Sequence, residues 1–213
     1  MERRRLLITA LAGIVAVVLL GIVILMLGNG PLPLDTWWHD LMVAWRTDAG
    51  LAVAEALQLV GAGFWSVVIV TAVVGAYVFA GRPWSAATVV VAVLVSQTIT
   101  GALKFSFARP RPEDSLSTDA MTAFPSGHTS MAATLAVVLA LLIRAWLATI
   151  LAVVWIVAMA WSRTYLAAHW LSDVIAGAVL GAAVALLTWT TLDSMERAAE
   201  SPLLMLPKTP APR

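Results

Sequence analysis

The chain of 213 residues contains no cysteine, only two lysines and few charged residues of either sign. The absence of cysteine excludes disulfides, thiolate chemistry and metal sites built on cysteine ligands. Charged residues make up 12% of the chain and the formal net charge is +1, which gives no reason to expect nucleic acid as a partner. Scarce lysine beside abundant alanine and valine is typical of a GC-rich bacterial genome.

Hydrophobic residues make up 61% of the chain, and the mean hydropathy is +0.92. Apolar runs of about twenty residues are long enough to cross a bilayer as helices. Six runs qualify: Leu6–Leu27, Leu51–Ala80, Trp84–Leu103, Ser126–Ile143, Trp146–Trp161 and Asp173–Thr191. The sequence therefore predicts an all-α integral membrane protein, a bundle of six transmembrane helices.

Arginine and lysine favour the cytoplasmic side of short loops, and they set the predicted orientation. The first run follows three arginines but is about twice as long as the core of a signal peptide, so we interpret it as a retained anchor. With the N-terminus cytoplasmic, the inner cations are Arg3, Arg4, Arg5, Arg82, Arg144, Arg197, Lys208 and Arg213, and the outer ones are Arg46, Lys104, Arg109, Arg111 and Arg163. We expect a multi-pass protein of the plasma membrane with both termini cytoplasmic.

A short amphipathic helix is predicted between the first two runs, because Leu34, Trp37, Trp38, Leu41, Met42 and Trp45 recur at helical spacing. Asp35 would cap it, and His39 would be an exposed residue of the outer membrane interface. The helix either guides a lipid headgroup or fills the outer mouth of the bundle. Residues 1–192 are predicted to form a single domain with its motifs in 104–173, and residues 193–213 a flexible cytoplasmic tail.

Ser126 follows a proline and precedes an apolar helical run, so it is predicted to be an N-cap, with Gly127 and His128 in the first turn. The N–H groups and the positive dipole end of a helix N-terminus bind anions such as phosphate. Taken alone, this tetrapeptide fits an ordinary capped helix better than an anion site.

His169 and Asp173 are four residues apart, a spacing that places both on one helical face if the last helix begins early enough. The carboxylate would then hold one imidazole N–H and leave the other ring nitrogen free to attack. A structural pair that caps a helix is an equal alternative. Arg163 would bind two phosphate oxygens or extend to lipid headgroups.

Lys104 ends the third run, and the polar loop of residues 105–124 follows it. Arg109 and Arg111 are each followed by proline, which limits how their side chains point. We expect one arginine to bind substrate and the other to pair with Glu113 or Asp114.

These residues and spacings resemble the three signatures of the type 2 phosphatidic acid phosphatase superfamily. The signatures are Lys104 with Arg111-Pro112, Pro125-Ser126-Gly127-His128, and Ser162-Arg163 with His169 and Asp173. The resemblance covers about residues 96–180 by motif and the remainder by topology, and the six runs are similar to the lipid phosphatase branch, in a small bacterial member.

The resemblance implies a phosphatase that needs no metal or other cofactor and forms a phosphohistidine. His169 would attack phosphorus with Asp173 orienting it, and His128 would protonate the leaving oxygen and later activate water. The residues implied to hold the phosphoryl oxygens are Lys104, Arg111, Ser126, Gly127 and Arg163. No carboxylate cluster near the motifs resembles a two-metal site.

The leading hypothesis is a membrane phosphatase that hydrolyses an undecaprenyl-type polyprenyl pyrophosphate or a related lipid phosphate at the extracytoplasmic face. A phosphatidylglycerophosphate or phosphatidic acid phosphatase fits the same residues, and a lipid phosphotransferase is less favoured. An anion transporter is disfavoured because no charge lies deep in a predicted run and no run is interrupted near its middle. A non-catalytic scaffold is disfavoured by the complete set of catalytic residues.

Overall fold

The computed structural model describes residues 2–61, 63–117 and 122–204, and within these ranges it is α-helical with one isolated β-bridge between Pro110 and Thr122. The helices of the described ranges are α1 Glu2–Met26, α2 Pro33–Ala44, α3 Asp48–Gly61, α4 Gly63–Phe79, α5 Pro83–Phe107, α6 Gly127–Ile143, α7 Trp146–Tyr165 and α8 Leu171–Leu204. The amphipathic helix predicted after the first run is present as α2.

Helix length and composition support a multi-pass membrane protein. Among the described residues, four helices are long and apolar enough to cross a membrane, namely α1, α5, α7 and α8, and the bent pair α3 and α4 makes a fifth if it counts as one span. Helix α6 is apolar but has only 17 residues. Four or five candidate spans follow from these lengths, so the predicted total of six is not confirmed.

The second apolar run, predicted as one continuous span, is divided into two helices. Helix α3 ends at Gly61, α4 begins at Gly63, and the two helices are bent by 55°. Gly63 has a φ of +63°, a left-handed conformation that glycine adopts without steric cost. Ala62 lies outside the described residues. The uniform hydropathy of the run gave no sign of this break.

Helices α6 and α8 form the centre of the bundle. A methyl group at Gly181 would lie 2.8 Å from Cβ of Ala133 and 2.9 Å from the backbone nitrogen of Thr134, and one at Gly177 would lie 2.6 Å from the carbonyl oxygen of Ser126. Since Gly177 lies beside the start of α6 and Gly181 one turn further along, the two helices run parallel. Their N-termini therefore lie at the same end of the bundle.

Buried hydroxyl groups connect α5 to α6 below that end. The hydroxyl of Thr134 donates to Ser96 at 2.8 Å, that of Thr100 donates to Ser130 at 3.1 Å, and the hydroxyls of Ser96 and Ser130 are 3.0 Å apart. Such satisfied polar groups hold helices together in an apolar environment. Thr100, which precedes Lys104 by one helical turn, thus faces protein and not lipid.

The opposite end of the bundle collects cations that the sequence places in the cytoplasm. Arg82 and Arg144 line a cavity of about 460 Å³, and Arg3, Arg144 and Arg197 line another of about 590 Å³. Neither cavity is lined by any of the predicted site residues.

Helix α8 continues to Leu204, beyond the predicted end of its span at Thr191. Residues 193–204 of the predicted tail are therefore helical, and residues 205–213 lie outside the described residues. The flexibility of the tail stays a prediction, as does the single-domain boundary at residue 192.

Candidate active site

A cavity of about 540 Å³ lies at the end of the bundle where α6 and α8 begin. Its lining residues are Gly61, Gly63, Ser66, Val67, Val93, Gln97, Lys104, Arg111, Gly127, His128, Met131 and His169. The cavity has a polar end formed by cations and histidines and an apolar flank that includes Val67, Val93 and Met131. Five of the eight predicted site residues line it directly.

The N-terminus of α6 contributes the middle of the polar end. Ser126 has the extended backbone of an N-cap, as predicted, yet its buried hydroxyl lies 3.1 Å from the hydroxyl of Thr129 and makes no capping bond. A methyl group at Gly127 would lie 3.7 Å from Cε of Lys104. Because glycine has no side chain, the space between the backbone of α6 and the lysine stays open. A helix N-terminus beside a lysine, with open space next to both, is suited to an anion.

Lys104 and Arg111 bring two cations to this end. The ammonium group of Lys104 donates to the carbonyl oxygen of Thr122 at 2.8 Å. Nη1 of Arg111 donates to the carbonyl oxygen of Ala168 at 2.6 Å and lies 3.4 Å from Nε2 of His169. Because a guanidinium group can only donate, this contact favours the tautomer in which Nε2 carries a lone pair.

His169 lies in the turn before α8 and is 2% exposed. Helix α8 begins at Leu171, so the shared helical face predicted for His169 and Asp173 is not formed. The two side chains are nevertheless close, with Nδ1 of His169 3.8 Å from Oδ2 of Asp173. Oδ2 instead accepts the backbone N–H of Trp170 at 2.9 Å, and Nδ1 is buried with no hydrogen-bond partner among the residues that the structure describes. A displacement of about 1 Å would complete the bond.

The surroundings of His169 disfavour its protonated form. Burial is the largest cause that lowers the pKa of His169 well below its ordinary value of 6.5, and the positive charges of Arg111, Arg163, Lys104 and His128 lower it further. The imidazole is therefore neutral at neutral pH, which is the state that can act as a nucleophile.

His128 stands in the first turn of α6 and is 8% exposed. A methyl group at Gly61 would lie 3.2 Å from Cδ2 of His128, so the end of α3 packs against the ring. Since His128 and His169 line one cavity, the structure brings together the two histidines that the sequence singled out.

Arg163 is fully buried near the end of α7 and does not line the cavity. It donates to Oε1 of Gln58 on α3, and its Nη2 donates to the hydroxyl of Ser117 at 3.1 Å. Neither partner was predicted from the sequence. Gln58 carried a usable signal, because a polar residue inside an apolar run usually faces protein.

Arg109 differs most from its prediction. It is fully buried and pairs with Asp173 at 2.6 Å and with Asp35 at 2.8 Å, so the expected partner, Glu113 or Asp114, was wrong. The backbone turns inward after α5, where Ala108 has a φ of 43°, and this directs the next side chain into the bundle. Asp35 was predicted only as a cap, a role it also has, since it accepts the N–H of Leu32 at 2.9 Å.

One acidic residue of the polar loop, Asp114, instead holds the loop to α2 and to the segment that follows this helix. Oδ1 of Asp114 lies 3.2 Å from Nε2 of His39, and Oδ2 lies 3.3 Å from Nη1 of Arg46. His39, predicted to be exposed, is therefore half-buried against the loop and lies away from the cavity lining.

A helix N-terminus, two cations and two histidines surround one cavity of a protein with several candidate membrane spans, an arrangement suited to a phosphate-like anion. The particular family follows from a direct match, because the model of the PAP2 superfamily matches residues 85–195, just over half of the chain. The chain belongs to the PAP2 superfamily, which confirms the resemblance seen in its motifs.

Two solved structures share the fold. One is the transmembrane PAP2-type phosphatidylglycerolphosphate phosphatase from Bacillus subtilis, with a TM-score of 0.77, 20% identity, and coverage of 89% of this chain and 98% of that chain. The other is LpxE from Aquifex aeolicus, with a TM-score of 0.66, 21% identity, and coverage of 74% of this chain and 96% of that one. Among curated proteins, none matches this chain. At these identities the likeness establishes the fold.

Proposed function

We propose that this protein is a membrane lipid phosphatase that works through a phosphohistidine on His169. The observation that carries the proposal is the placement of this one ring. Nε2 lies 3.4 Å from the guanidinium group of Arg111, and Nδ1 lies 3.8 Å from the carboxylate of Asp173. A neutral imidazole between a phosphate-binding cation and a carboxylate has the arrangement of an activated nucleophile.

In the proposed reaction, Nε2 of His169 attacks the terminal phosphorus, and the bond from that phosphorus to the leaving oxygen breaks. That oxygen belongs to the lipid monophosphate when the substrate is a pyrophosphate and to the lipid alcohol when it is a monophosphate. His128 gives its proton to that leaving oxygen. Water then attacks the phosphohistidine and gives a proton to His128, the bond from phosphorus to Nε2 breaks, and inorganic phosphate leaves. The ring of His169 moves by about 1 Å toward Asp173, whose carboxylate accepts the Nδ1–H and stabilises the positive charge that forms on the ring.

The remaining residues would hold the phosphoryl oxygens. Lys104, Arg111 and the N-terminus of α6 at Gly127 surround the space in front of Nε2, and Ser126 and Arg163 support them from buried positions. Positive groups fixed before the reaction stabilise the developing charge without having to reorganise.

The cavity gives partial information about the substrate. Its apolar flank, with Val67, Val93 and Met131, provides a surface for a lipid chain beside the phosphate. We propose an undecaprenyl-type polyprenyl pyrophosphate or a related lipid phosphate as substrate, with phosphatidylglycerophosphate or phosphatidic acid as the alternative. The similar fold of a structure described as a phosphatidylglycerolphosphate phosphatase supports that alternative.

We also propose six spans, with the active site extracytoplasmic and both termini cytoplasmic. Helix α6 runs parallel to α8, from the end of the bundle with the active-site cavity to the end where Arg144 lies. If α8 crosses the membrane, α6 therefore crosses it too. Counting α3 and α4 as one bent span gives six in the described part of the chain. The arginines at the opposite end favour the cytoplasmic side.

Anion transport is a second candidate, because the structure removes one sequence argument against it. The run of residues 51–80 is interrupted, and Gly61 and Gly63 at the interruption both line the cavity. Interrupted helices are typical of transport sites. A transporter would bind phosphate without cleaving an ester.

The test is release of phosphate from undecaprenyl pyrophosphate, phosphatidylglycerophosphate and phosphatidic acid by protein purified in detergent, with EDTA present. We expect a wild-type rate that survives EDTA and falls roughly a thousandfold or more in His169→Ala, since no neighbouring group replaces the nucleophile. His39→Ala, the same change outside the cavity, is the matched control.

Each other outcome has a specific meaning. A wild-type rate lost in EDTA would contradict metal independence. Equal rates in His169→Ala and wild type would contradict the phosphohistidine. No release from any lipid would favour transfer to another acceptor or transport, and the order of rates among the lipids would identify the substrate class.

A further inference from the structure

A buried ion-pair network lies behind Asp173, outside the cavity. Nη1 of Arg109 donates to Oδ1 of Asp173 at 2.6 Å, and Nη2 donates to Oδ2 of Asp35 at 2.8 Å. Nη1 also donates to the hydroxyl of Ser172, and Nη2 to the carbonyl oxygen of Gly30, both at 2.8 Å. One guanidinium group thus joins the end of α5 to the start of α2 and the start of α8.

Asp35 is held as firmly as the arginine. Its Oδ1 accepts the backbone N–H of Ser172 at 2.8 Å, and its Oδ2 accepts the Ser172 hydroxyl at 2.8 Å and the N–H of Leu32 at 2.9 Å. The side chains of Asp35, Arg109 and Asp173 are at most 1% exposed. Buried charges with this many partners have little freedom to move, because any displacement leaves a charge unpaired.

The network acts on the one carboxylate that faces His169. Asp173 has two oxygens, and Arg109 holds Oδ1 while Oδ2 lies 3.8 Å from Nδ1 of His169. Holding Oδ1 fixes the rotation of the carboxylate and so the position of Oδ2. Arg109 pairs with Asp35 as well as with Asp173, so the three charged side chains together carry a net charge of −1. This negative charge can stabilise a positive imidazole on His169.

We propose that Asp35 and Arg109 are positioning residues for the nucleophile, acting through Asp173. The proposal rests on the proposed function, in which Asp173 orients His169. Asp35 lies on α2, outside the residues 85–195 that match the PAP2 superfamily. The positioning of the nucleophile therefore extends to a helix that carries none of the family signatures.

The test is Asp35→Asn, which keeps the shape of the side chain and removes its charge. Arg109 is then neutralised by Asp173 alone, so the carboxylate stabilises the imidazolium less well. We expect kcat to fall about tenfold or more with KM unchanged, since the loss falls on the transition state. Asp40→Asn, the same change at an exposed position of the same helix, is the matched control and should leave both constants unchanged.

Inhibition separates positioning from a merely structural role. Orthovanadate resembles the five-coordinate transition state and requires a bond to a well-placed ring nitrogen, whereas inorganic phosphate requires only the cations. In Asp35→Asn we expect the inhibition constant for orthovanadate to rise about tenfold, in step with kcat, and that for phosphate to stay unchanged. Neither constant depends on the fraction of protein that is folded.

The outcomes distinguish this proposal from the proposed function. If wild type releases no phosphate, the proposed function fails. If wild type is active and Asp35→Asn changes only the midpoint of thermal unfolding, the network is structural and the proposal is overturned.

If Asp35→Asn does not fold, Ser172→Ala decides, because it removes the hydroxyl shared by Asp35 and Arg109 but keeps both charges. A loss of about threefold or more in kcat with weakened orthovanadate inhibition supports positioning, and no change overturns it.

Discussion

The protonation state of His169 is set by its neighbours before a substrate binds. Burial removes water that would stabilise the charged ring, and Arg111, Arg163 and Lys104 add positive potential. Both effects lower the pKa of His169, so its lone pair stays available at pH values where an ordinary histidine is half protonated.

This arrangement predicts how His169 titrates. Nuclear magnetic resonance of labelled histidine should show a signal, absent in His169→Ala, that titrates well below pH 6.5. Arg111→Gln should move that midpoint upward, because removal of a cation favours the protonated ring. Arg82→Gln, at the opposite end of the bundle, is the control and should not move it. A wild-type midpoint at or above 6.5 would contradict the electrostatic explanation.

The two motif arginines show how far sequence reasoning reaches at the level of single residues. From the sequence, one of Arg109 and Arg111 was predicted to bind substrate, which stays a prediction, and the other to pair with Glu113 or Asp114, which is wrong for Arg109. The sequence could not predict that Arg109 would pair with Asp35, because the two residues are 74 positions apart and only the folded bundle brings them together. The His169–Asp173 spacing was equally ambiguous, since it depended on where α8 begins.

At the scale of helices, the active site depends on the close packing of α6 and α8. The first carries Gly127 and His128, the second carries Asp173, and Ser126 joins them by donating its backbone N–H to the carbonyl oxygen of Asp173 at 3.0 Å. Small residues allow helices to approach closely in membranes. Separation of these two helices would therefore move the first turn of α6 away from the carboxylate.

Gly181→Ala tests this dependence. The added methyl group would meet Cβ of Ala133 at 2.8 Å and the backbone of α6, which cannot rotate away, so we expect a loss of about 1–3 kcal/mol in stability together with reduced activity. Thermal unfolding in detergent and phosphate release would measure both. In Gly101→Ala, no described atom outside the adjoining turns of α5 lies within 4 Å of the new methyl group, so this change is the matched control. We expect it to be neutral or to stabilise by up to about 1 kcal/mol. Equal effects of the two changes would contradict the packing argument.

The helices themselves were largely predictable, because long apolar runs and a helical spacing of tryptophans and leucines are local signals. The break between α3 and α4 was not, since glycine and alanine are as compatible with a span as with a bend. Its cause lies in the tertiary structure. Gly61 packs against Met159 and His128, so the end of α3 is positioned by α7 and α6.

For the whole molecule, the two ends of the bundle differ in chemistry. One end holds the histidines, Lys104 and Arg111, and the other holds Arg3, Arg82, Arg144 and Arg197 around two cavities. Arginines of the second group have no role in the proposed reaction, so the preference of such residues for the cytoplasmic side supports the proposed orientation. The active site would then face outward, where a carrier lipid would release its phosphate.

The absence of cysteine makes this orientation directly measurable, because any introduced thiol is unique in the chain. Glu113→Cys places a thiol at an exposed position of the loop beside the active site, and Ala145→Cys places one at an exposed position between α6 and α7. In intact cells, a membrane-impermeant thiol reagent should label Glu113→Cys, whereas Ala145→Cys should react only after the membrane is opened. The reverse pattern would place the active site in the cytoplasm. Labelling of both positions in intact cells would mean that α6 does not cross the membrane, and the six-span arrangement would be wrong.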